Sequence, residues 1–390
     1  MVSGKLPDTS ISEDIKRTSF KSTSIQYISK GTLQPNKIHT PIIESFHTVP
    51  MVIGVNKDED HLLVGGKNML KLYEITQNKK LILKDKDLPE KFRQLSRSII
   101  KDIAWNPCTF IHNNYIVRKM LFATANTERK IITFDFEAQG KTFVYKDAHD
   151  RMINKLIWDP KNENCFLTVS SDKQMKLFDN VSETAVITLT NKSDGYLDAK
   201  FTKQDLNILA AAKDNGEIEI WDMRMPGSSI IQDRLHMSSV SSLDWNTNGL
   251  LLSGSTDKHI KVHKFIAGHK LEQVMDINNY ANIGIVKWQE EYNFTVSFTQ
   301  LNETSVFEYN LLFPHSPIRI YKGHTDVVTD FAWIDQYLLT SSKDNTLMLR
   351  HKENSICPLL NVNAIGMGFT LNNTFAYSNA KFFPKVIKDV

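Results

Sequence analysis

Short apolar runs broken by polar turns recur along the chain, and five of them end on tryptophan. Trp105 closes IIKDIAW, Trp158 closes MINKLIW, Trp245 closes VSSLDW, Trp288 closes IGIVKW and Trp333 closes VVTDFAW. Phe201 in YLDAKF fills the gap between the second and third. Successive spacings are 53, 43, 44, 43 and 45 residues, close to the ~40–45-residue period of a four-stranded propeller blade. The insertion CTFIHNNYIVRK after Trp105 accounts for the longer first spacing.

Two further registers keep the same phase. His149, His236 and His324 stand nine residues before Trp158, Trp245 and Trp333, and His47 is given the same place nine before Asn56. A turn acid or its substitute recurs at Glu128, Asp172, Asn215, Asp257, Glu303 and Asp344. Six residues later stand Phe134, Phe178, Trp221, His263, Tyr309 and Arg350, and Tyr73 extends that set to seven. Each unit reads as an inner strand, a second strand such as GLLLSGS, a third such as GEIEIWD and an outer one such as SPIRIYK.

Short strands at this cadence predict an all-β protein. A lone sheet cannot bury both faces, whereas about seven packed radially can. The fold expected is therefore a seven-bladed WD-repeat β-propeller. TPIIESF, ahead of His47, has the pattern of an outer strand and is expected to close the last blade. An incomplete eighth unit is allowed by AIGMGFTLNNTFAYSN near the end. The expected organisation is a disordered tail over 1–21, a propeller over 22–385 and a short tail over 386–390. LPEKFRQLSRS has the only helical periodicity and is placed in a loop, and Gly65-Gly66 reads as a turn.

Composition adds exclusions. With 41% hydrophobic and 23% charged residues the chain is ordinary globular material. A net charge of +3 makes no case for nucleic acid. Cys108, Cys165 and Cys357 lie far apart without a CxxC pair, so reduced thiols are expected rather than disulfides or zinc. No run reaches the ~18 apolar residues of a membrane helix, and the polar N-terminus is no signal peptide, so a cytoplasmic address is the default. Phosphate loops, GxSxG and HExxH are missing, so no enzymatic activity and no cofactor are expected.

The histidines instead fit a buried hydrogen-bond network within blades, because buried polar groups must be paired. The expected members are His149, Ser170 and Asp172; His236, Ser255 and Asp257; and His324, Ser342 and Asp344. Trp221 and Asp222 form the literal WD dipeptide. Propellers bind through loops at the mouth of the central channel, on the narrow face, which makes Arg151, Ser239 and Asp326 candidate partner-binding residues. Arg224 joins them because Trp221-Asp222-Met223-Arg224 fits a WDxR box.

Longer stretches are more specific. IEIWDMRMP, HMSSVSSLDW, LLSGSTDKHIKV, IGIVKW and YKGHTDVVTDFAW with LLTSSKDNTLMLRH resemble the WD-repeat protein 24 family, whose fungal members are the restriction of telomere capping proteins. HLLVGGKNMLKLYEI and GMGFTLNNTFAYSNAK extend the likeness over roughly residues 48 to 385. The resemblance implies a scaffold subunit of the SEA complex, called GATOR in animals. That coat-like assembly lies at the vacuolar or lysosomal membrane and relays amino-acid sufficiency to the TOR kinase. It implies other protein subunits as partners, with membrane contact only through them. Family members also carry helical repeats and a Cys/His-rich RING-like zinc module, which is not expected in this sequence. Two alternatives stay open: a substrate receptor of a cullin ubiquitin ligase, through the WDxR box, and a nucleic-acid or histone binder.

Overall fold

Seven four-stranded sheets follow one another along the chain. The computed structural model describes residues 41–75, 81–83, 98–107, 110–111, 117–118, 121–135, 141–145, 148–180, 184–190, 194–266, 270–289, 294–311, 314, 316–358, 366–369, 375–379 and 382–386. All of them belong to one unit, Thr40–Val390. The expected tail over 1–21 and the helical segment LPEKFRQLSR lie outside the described residues.

Blade one comprises Pro50–Val55, His61–Gly66, Met69–Ile75 and Leu81–Leu83, and blade two Ile100–Trp105, Leu121–Asn126, Ile131–Asp135 and Lys141–Tyr145. Blade three comprises Ile153–Trp158, Cys165–Ser170, Gln174–Asp179 and Thr184–Thr190, and blade four Tyr196–Phe201, Ile208–Lys213, Glu217–Asp222 and Ile231–Arg234. Blade five comprises Val240–Trp245, Leu250–Ser255, His259–Ile266 and Lys270–Asn278, and blade six Ile283–Trp288, Thr295–Gln300, Val306–Asn310 and Arg319–Tyr321. Blade seven takes Val328–Ile334, Tyr337–Ser342 and Thr346–His351 from the end of the chain and its outer strand, Ile42–Ser45, from the beginning. There Ile42 faces Leu349 and Ser45 faces Thr346. The insertion after Trp105 contributes a small hairpin, Phe110–Ile111 with Val117–Arg118.

Strand register explains the sequence phases. Trp158 faces Phe166, which faces Phe178. The same row runs Trp105–Phe122–Phe134, Phe201–Leu209–Trp221, Trp245–Leu251–His263, Trp288–Val296–Tyr309 and Trp333–Leu338–Arg350. In blade one the row is Val55–Leu62–Tyr73. The phase assigned to Asn56 is therefore one residue late, and His47 stands exposed instead of entering a network.

Each apolar cluster is shared by two neighbouring blades. Val52, Leu63 and Leu72 pack with Ile103, Trp105 and Phe122 between blades one and two. Ile53 and Leu62 pack with Ile334, Leu339 and Leu347 between blades one and seven. Burying a large apolar side chain stabilises by roughly 1.5–3 kcal/mol, so blade-to-blade stacking holds the fold. Gly65 and Gly66 sit at the end of a strand, not in a turn. A Cβ on Gly66 would lie 2.3 Å from the Val49 carbonyl oxygen, so the pair serves close backbone approach.

The tail does not supply an eighth blade. Gly366–Phe369, Phe375–Asn379 and Phe382–Val386 form a separate three-stranded sheet. Blades seven and one meet directly, with the Thr329 hydroxyl donating to the Pro50 carbonyl at 2.8 Å.

Candidate functional site

Inner strands all run the same way, so the ring has two ends. The end where they begin carries the loops between blades and the turns between second and third strands. The histidine networks sit there. His149 Nδ1 lies 2.8 Å from Asp172 and its Nε2 2.7 Å from the Thr168 hydroxyl. His236 joins Asp257 at 3.0 Å and Ser253 at 2.9 Å, and His324 joins Asp344 at 3.0 Å and Thr340 at 2.8 Å.

These contacts correct the sequence reading of the hydroxyl. Its partner lies four residues before the turn acid, at Thr168, Ser253 and Thr340, not two before it. Nδ1 engages the turn, so the ring points its Nε2 deeper into the blade. Ser170 and Ser342 instead donate to the loop carbonyls of Met152 and Asp326, at 3.0 and 2.9 Å, and Ser255 donates to Ser238 at 3.3 Å. Each of the three also accepts the N–H of its turn acid.

Burial pushes the Asp172 carboxyl up, but the His149 hydrogen bond and charge, with the N–H groups of Asp150 and Gln174, hold it below the usual carboxylate range. Asp257 and Asp344 are lowered likewise against burial, Asp257 chiefly by the N–H groups of Met237 and His259, Asp344 by the Thr346 hydroxyl and the Thr325 N–H. Burial lowers His236 and His324 below the ordinary imidazole value, with Asp257 and Asp344 opposing. His236 and His324 are thus neutral rings donating to carboxylates, built to hold shape rather than move protons.

The seat six residues after the acid differs in each network. Phe178 meets the His149 ring edge-on at 6.5 Å. Arg350 donates to the Lys322 carbonyl at 2.5 Å and to Thr340 at 3.3 Å. His263 is buried with neither ring nitrogen partnered among the described residues. Trp221 belongs to a different arrangement, in which buried Glu219 accepts from its Nε1 at 3.0 Å, from the Tyr196 hydroxyl at 2.6 Å and from Lys213 at 2.7 Å. Asp222 is half-exposed and binds Arg224 through Nε at 2.9 Å and a terminal nitrogen at 2.7 Å.

The central channel has a volume of about 1130 Å³. Its walls carry Lys57, Lys101, Lys155, Lys200, Lys203, Lys287 and Lys343 against Asp102, Asp198, Asp244 and Asp330. All four acids are locked onto the next blade. Asp102 accepts the Leu156 N–H at 2.7 Å, Asp198 that of Leu243 at 2.8 Å, Asp244 that of Trp288 at 2.8 Å and Asp330 that of Ile53 at 2.9 Å. Lys155 and Lys287 then pair with Asp102 and Asp330 at 3.0 and 3.2 Å. Burial opposes the Lys155 ammonium, but Asp102, Asp198 and Asp330 outweigh it and raise its pKa. Burial raises the Asp198 carboxyl, with Lys155 opposing.

Sequence reasoning missed these locks. The signal was present, since Asp102, Asp198 and Asp330 each stand three residues before the aromatic of their inner strand. Tryptophan adds ties in the other direction: Trp105, Trp158 and Trp245 donate to carbonyls of the preceding blade at 2.9, 3.0 and 3.2 Å.

Among the candidate partner-binding residues, Arg151, Ser239 and Asp326 share the end where inner strands begin, one in each of three separate loops. Arg151 and Asp326 are exposed, and Ser239 lines the channel with its hydroxyl 2.9 Å from Thr256. Arg224 lies at the opposite end, where it also reaches Asp205 at 3.3 Å. No group of three or more His, Cys, Asp or Glu among the described residues is placed to hold a metal ion. No helix among them is long and apolar enough to cross a membrane.

Known proteins fit this architecture. The family model "WD domain, G-beta repeat" matches residues 229–264 and 315–350. The GATOR2 complex protein WDR24 of Drosophila melanogaster is 29% identical over 335 residues, covering 84% of this chain and 41% of that protein. Human WDR24 is 25% identical over 338 residues, with the same coverage of 84% and 41%. The human GATOR2 complex protein WDR59 is 25% identical over 279 residues, 67% of this chain and 27% of that one. The chain thus spans less than half the length of the relatives it matches. It is a seven-bladed WD-repeat β-propeller whose sequence, over 84% of its length, is similar to that of the WDR24 proteins of the GATOR2 complex.

Proposed function

We propose that this chain is a non-catalytic WD-repeat scaffold subunit of a SEA/GATOR-like coat complex. Its place is at the vacuolar or lysosomal membrane, held there by partner proteins, and its role is in TOR nutrient signalling and autophagy. The observation that carries the reading is the sustained similarity to two kinds of GATOR2 complex protein, WDR24 and WDR59. The side-chain chemistry supports it. Channel acids that could serve a reaction are instead bound to backbone N–H groups of the next blade, and the histidines to networks within their own blades. What remains free is a rigid ring presenting loops, with Arg151, Ser239 and Asp326 on the binding face and the His–Asp networks bracing it.

Affinity purification of the tagged chain from its native cells, read by quantitative mass spectrometry, tests this. Recovery of other propeller and solenoid subunits of a GATOR-type assembly is expected. Recovery of none of them overturns the reading. Recovery of a cullin adaptor instead, lost on Arg224→Ala, would favour the ligase receptor.

A further inference from the structure

At the end where the inner strands begin, three large apolar side chains of blades five and six stand exposed. Met237, in the loop entering blade five, is 84% exposed, and its N–H is held by Asp257 at 2.9 Å. The same turn anchors the next loop, where the Asn279 N–H donates to the Lys258 carbonyl at 2.8 Å beside Tyr280, which is 65% exposed. Leu301, 43% exposed, is tied to that loop through the Asn282 carbonyl at 2.8 Å. Met237, Tyr280 and Leu301 therefore form one apolar arc over blades five and six. Exposed large apolar side chains grouped on one rim mark a contact surface better than scattered ones do.

The next three blades continue the rim with lysines. Lys343 occupies the turn of blade seven, its N–H bound to the Val327 carbonyl at 2.9 Å. Lys67 occupies the same turn in blade one and bridges to Ile99, two residues before Lys101 on blade two. All three lysines are exposed and none pairs with a carboxylate among the described residues. The channel acids below them are bound to backbone N–H groups of the next blade. Of the acids on this rim, Asp257 and Asp344 are bound in the histidine networks and Glu128 pairs with Lys130; Glu303 and Asp326 stand apart from these, and the Asp326 carboxylate accepts the Val327 N–H at 2.6 Å. They lie between the two arcs and would steer a ligand's charges towards the lysines.

We infer that this rim is a docking site for an acidic, extended segment of a partner protein, with an aromatic or apolar side chain on the Met237–Tyr280–Leu301 arc and carboxylates on Lys343, Lys67 and Lys101. The inference rests on the scaffold reading and names the chemistry of one partner. Charge complementarity selects an acidic occupant, and the apolar arc selects a peptide with apolar anchors over a bare polyanion.

The test uses the full chain and fluorescent random copolymers: poly(Glu,Tyr), poly(Glu) and poly(Lys), read by anisotropy across a salt series. Binding of poly(Glu,Tyr) is expected, at least tenfold tighter than poly(Glu), with no binding of poly(Lys). The Lys67→Glu/Lys101→Glu/Lys343→Glu variant should lose at least tenfold and flatten the salt dependence. Met237→Ser/Tyr280→Ser/Leu301→Ser should remove the advantage of poly(Glu,Tyr) over poly(Glu). Matching thermal unfolding of variants and parent shows that the fold is kept. Equal binding by all three proteins overturns the inference, as do poly(Glu) binding as tightly as poly(Glu,Tyr) and preference for anionic lipid vesicles or single-stranded RNA over poly(Glu,Tyr). Subunit recovery from cells by the same variants separates the two readings: subunits recovered while copolymer binding is unaffected leave the scaffold standing and remove this surface.

Discussion

His263 occupies the seat that Phe178 fills in blade three, yet it is 1% exposed and neither ring nitrogen has a partner among the described residues. Burial, with the charges of His236 and Lys261, pulls its pKa from 6.5 to about 4. An imidazole that protonates near 4 when folded and near 6.5 when unfolded takes its proton first in the unfolded chain. Stability is therefore intact above about pH 6.5 and declines as the pH falls through the window down to about 4. Between pH 7.5 and 5 that linkage amounts to about 2 kcal/mol. At neutral pH the unpaired donor and acceptor cost a further ~1 kcal/mol or more. His263→Phe removes both effects while keeping a ring of similar size. Thermal unfolding should show the variant slightly more stable at pH 7.5. At pH 5 its lead should widen by about 3 °C, using ~2.1 cal/mol/K of unfolding entropy per residue. A parallel loss of stability in the two proteins between pH 7.5 and 5, or a destabilised variant at pH 7.5, would refute the reasoning.

Two further substitutions probe the braces. Thr168→Val strands the His149 Nε2 and should cost about 1–3 kcal/mol in urea unfolding, whereas Ser170→Ala should cost less, because its partners lie in a half-exposed turn. Asp330→Ala removes the acceptor for the Ile53 N–H and the partner of Lys287 at the seam between blades seven and one. It should cost about 2–3 kcal/mol and speed cleavage in the Ile42–Ser45 strand under limited proteolysis.

Blade number and stacking were readable because one row of side chains crosses each sheet, and a row fixed in space repeats at fixed phase in sequence. Trp105, Trp158, Trp245, Trp288 and Trp333 all begin such rows. The row in blade one escaped by one residue because Val55 carries no aromatic mark. The hydroxyl in each histidine network was misplaced for a different reason. Ser170 and Thr168 alternate onto the same face of one strand, and only the reach of the imidazole ring decides between them. The acid locks were legible as a phase but not as a role, since an aspartate inside a strand gives no sign of which neighbouring backbone it will meet. The apolar rim was invisible because Met237 and Tyr280 come together only when the loops of neighbouring blades are set side by side.

The seventh blade is built from both ends of the chain, with Ile42 against Leu349. During synthesis at ~5–20 residues per second, the strand Ile42–Ser45 leaves the ribosome roughly 15–60 s before its partner exists. Through that interval the growing molecule is an open fan with a sticky apolar segment at its leading end. Glu44 and Ser45, within the strand itself, supply polar groups that discourage pairing with a neighbouring nascent chain. A stop codon or ribosome stall anywhere before Thr346 would leave that segment without a destination. Truncated products of this gene should therefore be conspicuous to chaperones and proteases, while the completed ring conceals its seam.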